Sequence, residues 1–126
     1  MTPSVGPLVE LAGALWGHSE TDGRVLDLCR LRMATLLGMS PQAPKVASAE
    51  DVADLSTWTS SARFGERERA ALAFAEQWVI DASGVTDADC ARLRAQLSDP
   101  EVAAFTLGIA VCEALLRTEL VLGLKA

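Results

Sequence analysis

Apolar residues recur at three- and four-residue intervals in six blocks, and no stretch shows the strict alternation of a strand. The first block opens at Pro7 and carries Leu8, Leu11, Ala12, Leu15 and Trp16 before Gly17 closes it. Asp22 is placed to cap a second helix over 23–38, with Val25, Leu26, Leu28, Leu31, Ala34, Leu36 and Leu37 as its apolar set. Gly38 suits a C-terminal stop, and Pro41 and Pro44 forbid simple continuation. Ser48 and Asp51 form a capping box for a short helix over 49–57. A linker at 59–62 leads to a helix over 66–81 whose inner face is Leu72, Ala75, Trp78 and Val79.

Two further boxes, Thr86 with Asp89 and Ser98 with Glu101, open helices over 87–97 and 99–123. Pro100 falls in the first turn of the last one, where its missing N–H does no harm. Segment 102–112 is apolar apart from Thr106, so it should be buried on nearly all sides. The expected fold class is therefore all-α: one domain over 1–126, an orthogonal bundle of about six helices.

Composition narrows the function. The net charge of −6 and the lack of a basic cluster disfavour nucleic acid. Arg24, Arg30 and Arg32 are the densest basic group, but one helix would point them in different directions. Half of the 126 residues are apolar, more than a small monomer hides easily, which suggests a homo-oligomer. No uncharged apolar run reaches 18 residues, so no membrane span is expected. The start lacks a basic leader, and a cytoplasmic location is expected. Cys29, Cys90 and Cys112 are odd in number and far apart, and read as reduced thiols within helices. No zinc spacing occurs, and neither metal nor cofactor is expected.

The stretch from Trp58 to Glu76, W-T-S-S-A-R-F-G-E-R-E-R-A-A-L-A-F-A-E, resembles a signature of the alkylhydroperoxidase D-like and carboxymuconolactone decarboxylase family. The flanks agree in order: Asp27-Leu28-Cys29-Arg30-Leu31-Arg32 before it, Ser98 to Val102 after it, then a long apolar helix bearing Arg117. The resemblance spans about 22–124. It implies an AhpD-like helical fold and, in peroxidase-type members, a redox motif N-G-C-x-x-C-x-x-x-H. Gly38 stands at that glycine, Met39 and Gln42 at the two cysteines, and Val46 at the histidine. Met forms no thiolate and Val moves no proton, so dithiol chemistry is ruled out at that position.

The family's acid lies twelve positions before the first cysteine, which here is Asp27. Asp27 is either an exposed partner of Arg30 or Arg24, or an acid facing a cavity beneath loop 39–48 with a raised pKa. Glu113 and Arg117, one turn apart on an apolar helix, are either a structural ion pair or a clamp in which Arg117 holds a substrate carboxylate. Arg117 matches an arginine common in the family. His18, the one histidine, is either a capping imidazole or an acid–base group. A lone histidine does not make a zinc site.

Trp16, Trp58 and Trp78 read as core or interface aromatics, and Trp16, Trp58 and Met39 are the candidates for lining a substrate pocket. Glu76 reads as a surface or interface contact. The resulting expectation is a cofactor-independent decarboxylase, isomerase or lyase acting on a small anionic or unsaturated carbonyl compound. The alternative is a catalytically silent ligand-binding or scaffold protein of the same fold.

Overall fold

The structure is a computed structural model that describes residues 6–123. Six α-helices follow one another: α1 (Gly6–Trp16), α2 (Gly23–Leu36), α3 (Ala49–Asp54), α4 (Glu66–Asp81), α5 (Asp87–Gln96) and α6 (Asp99–Leu122). Short 3₁₀ turns follow α3 and α4, at Leu55–Thr57 and Ala82–Gly84. No strand occurs among the described residues.

The helix starts are where the capping chemistry put them. Asp22 accepts the Val25 N–H, and Ser48, Thr86 and Ser98 each complete a two-way box with the acid three residues on. The stop of α2 is sharper than expected. Gly38 adopts a φ of 76°, its N–H donates to Thr35 O, and the Met39 N–H reaches back to Ala34 O. This paired closure satisfies the last carbonyls of α2 and turns the chain sharply away. The helix expected over 49–57 winds down into its 3₁₀ turn after Asp54.

Burial reverses one expectation. The central helix is α2: every residue from Val25 to Leu31 is buried, and α2 packs against both α4 and α6. Gly108 marks the closest approach of α6 to it, because a methyl added there would stand 3.0 Å from both Leu26 methyl groups. By contrast α6, expected to be covered on nearly all sides, leaves Leu107 49% exposed. The reason is geometric: α2 and α1 cover one side of α6, and among the described residues no further helix covers Ala103 and Leu107.

A helix with three arginines can lie at the centre because each charge is met separately. Arg24 pairs with Asp51 and Glu68, Arg30 with Asp27, and Arg32 with Glu76. The three do point in different directions, as the helical spacing implied.

Candidate functional site

The loop after α2 has no regular structure, so its N–H groups need acceptors from elsewhere. Pro41 and Pro44 have none to satisfy. The next three N–H groups, of Lys45, Val46 and Ala47, all donate to Asp27 Oδ2, at 2.8, 2.7 and 2.9 Å. The other oxygen, Oδ1, accepts from Arg30 Nε and Nη2 at 3.1 and 2.9 Å. Arg30 Nη2 also donates to Ala43 O at 2.6 Å. One carboxylate thus holds five hydrogen bonds and ties the loop to α2.

Asp27 is fully buried, and neither expectation for it holds in full. It does pair with Arg30, but it is not exposed. Burial pushes its carboxyl up; the Ala47 and Val46 N–H groups and the Arg30 guanidinium together outweigh that and hold it below the usual carboxylate range. A carboxylate so saturated has no free lone pair with which to take a substrate proton.

Beside this hub lies a cavity of about 360 Å3. One wall is α1, through Val9, Ala12, Gly13 and Trp16; the facing wall is α6, through Cys112, Leu115, Leu116 and Glu119. Arg30, Gln42 and Lys45 line the third side. The Arg30 side chain is only 10% exposed, and its Nη1 makes no hydrogen bond to a described residue. Lys45 forms no ion pair among the described residues. Burial, with the Asp27 carboxylate behind it, pushes the Cys112 thiol up to about 11, although Arg30 and Lys45 pull it down. Two cations on the loop side, with apolar surface and Glu119 on the α6 wall opposite, make a place for an anion with an apolar body on the cationic side.

The residues singled out in the sequence do not converge on this cavity, Trp16 excepted. Arg117 and Glu113 pair at 3.0 Å on another face of α6, where Arg117 Nη2 donates to Val79 O at 3.1 Å. Arg117 is 47% exposed there. Glu113 Oε2 is buried without a hydrogen-bond partner. His18 is exposed in the turn after α1, and its Nδ1 accepts the Glu20 N–H.

Trp58 is a core residue whose Nε1 donates to Glu76 Oε1, which also receives Arg32 Nε. Glu76 is therefore an internal junction of α2, α4 and the Trp58 turn rather than a surface acid. Met39 packs against the core and is not among the cavity's lining residues. Among the described residues, no group of histidine, cysteine or acidic side chains could hold a metal.

Sequence reasoning missed Arg30, Lys45, Cys112 and Glu119 as site residues. A weak signal existed for Gln42, which stands where the resemblance places a cysteine.

The fold has a close counterpart. The structure superposes with a TM-score of 0.77 on the crystal structure of a protein of unknown function from Agrobacterium tumefaciens, described there as a candidate antioxidant defence protein AhpD. The two share 21% identity over 90% of this chain and 84% of that one. No family model matches the chain, and no curated protein matches it in sequence. At this identity the likeness is one of fold: the chain is all-α and AhpD-like in architecture.

Proposed function

We propose that the chain binds a small organic anion of the unsaturated-carbonyl class in the cavity between α1, α6 and the loop after α2, without a cofactor. The supporting observation is Arg30, which is nine-tenths buried, oriented by Asp27, and left with Nη1 free of described partners beside Lys45. A planar guanidinium fixed in this way favours a carboxylate, and Trp16, Leu115 and Leu116 suit a flat apolar body.

Turnover is the second reading, and Lys45 is the observation that favours it. An unpaired ammonium on the cavity wall can return a proton to an enolate, the step that decarboxylation, isomerisation and lyase reactions share. The set Asp27, Arg117, Glu113 and His18 is too dispersed for that task. Homo-oligomerisation belongs to the same proposal, since α1 carries a single charge, Glu10, yet leaves Val9 and Leu11 exposed.

Thermal unfolding in the presence of sorbate and cinnamate, with their neutral amides as controls, tests the binding. The acids should stabilise the protein, by about 2.7 kcal/mol at a hundred times the dissociation constant. Lys45→Glu should weaken binding at least about tenfold. Equal shifts with acids and amides, or none with either, leave the silent scaffold as the answer.

A further inference from the structure

We infer that Cys112 is a covalent capture site for anionic carbon electrophiles, oxo-alkenoates above all, that dock in the cavity. This rests on the anion-binding reading and adds a reaction to it.

The three thiols are in different situations. Cys29 is fully buried in α2, and Cys90 is half-buried on α5, away from the cavity. Cys112 is also buried, at 4% exposed, but alone of the three it lines the cavity, in company with Arg30, Lys45 and Gln42. Arg30 and Lys45 both lie near enough to favour its anion, while Asp27, behind Arg30, opposes it. A carboxylate held between these cations therefore sits next to the sulfur, and an electrophilic carbon a few bonds from that carboxylate is offered to Sγ.

The step is an addition and needs no oxidant or reductant. The S–H bond breaks and an S–C bond forms at the β carbon of the enone. The π pair moves to the carbonyl oxygen, where the Lys45 ammonium or the Gln42 amide can donate to it. A proton equivalent to the one lost by sulfur then ends on the α carbon, leaving a thioether whose mass is the sum of the reactants. At neutral pH a thiol at about 11 is almost wholly protonated, so Cys112 is slow toward reagents free in solution. The proton passes to solvent from the small thiolate-forming fraction, and holding the electrophile against the sulfur raises its effective concentration enough to offset how small that fraction is. The result is a thiol selective for what the two cations concentrate.

Cys90 supplies an internal reference for the test. The protein is treated with acetylacrylate and, separately, with its methyl ester, the same enone without the charge. Digestion and mass spectrometry then give the Cys112-to-Cys90 adduct ratio for each. The acid should raise that ratio about tenfold or more over the ester, and Lys45→Glu, a change at an exposed position, should return it to the ester's value. Equal ratios for acid and ester overturn the capture site. Equal ratios with sorbate stabilisation intact overturn it alone; equal ratios with no stabilisation overturn the binding reading as well.

Discussion

Two acid–arginine pairs, each one helical turn apart, have opposite fates in this molecule. Asp27 and Arg30 lie in the buried centre of α2, where every carboxylate lone pair is engaged and the acid is fully buried. Glu113 and Arg117 lie on α6 with the arginine half in water and one carboxylate oxygen unpartnered. The spacing of the charges is almost the same. The difference is made by the backbone of a distant loop, which brings three N–H groups to Asp27 and none to Glu113. An ion pair becomes a structural anchor when surrounding donors complete it, and remains a weak link when they do not and one partner stays in water.

Removing the acid from each pair should separate them most. Asp27→Ala should lose about 3–5 kcal/mol in urea unfolding, because it leaves a buried guanidinium and three loop N–H groups without their acceptor. A loss below about 1 kcal/mol would place the two pairs in the same class.

Acid titration sharpens the contrast next. The folded-state pKa of Asp27 is depressed, and that of Asp51, held by Arg24, is about 2. Groups lowered in the folded state contribute stability that is complete above their unfolded value, near about 4. That contribution drains away as pH falls from there through the folded value. Unfolding free energy should therefore decline between about pH 4 and pH 2, and Asp27→Asn should flatten that decline. An unchanged slope in the variant would show that Asp27 is not held ionised by its partners.

The smallest effect belongs to the pair whose arginine is half in water. Arg117→Ala should change stability by no more than about 1 kcal/mol, less in high salt. A larger loss would mean that its bond to the Val79 carbonyl, rather than the ion pair, anchors α6 to the end of α4.

Much of the fold was legible because helix ends are written in short-range chemistry. The boxes at Ser48, Thr86 and Ser98 and the glycine at position 38 act within a few residues of themselves. The site was less legible because its parts are local to nothing. Asp27 could be picked out by spacing, yet its charge state depends on the N–H groups of Lys45, Val46 and Ala47, which no side-chain pattern reports. Arg30 read as one of three arginines facing different directions and as a partner for Asp27, and nothing in the sequence placed it on a cavity wall. The apolar run of α6 misled for a related reason: composition states how much surface prefers to be hidden, and only topology states how much is.

The knot that Asp27 makes with the loop also fixes one wall of the cavity. Gln42 and Lys45 belong to a segment fastened to the middle of the most buried helix, so displacing that rim requires several bonds to break together. The opposite wall, α1, packs on α6 through Ala12, Leu15 and Trp16 against Val111 and Leu115, and Trp16 also reaches the main core. The proline-bearing loop is thus the cavity's fixed jamb, its shape set by a single buried carboxylate.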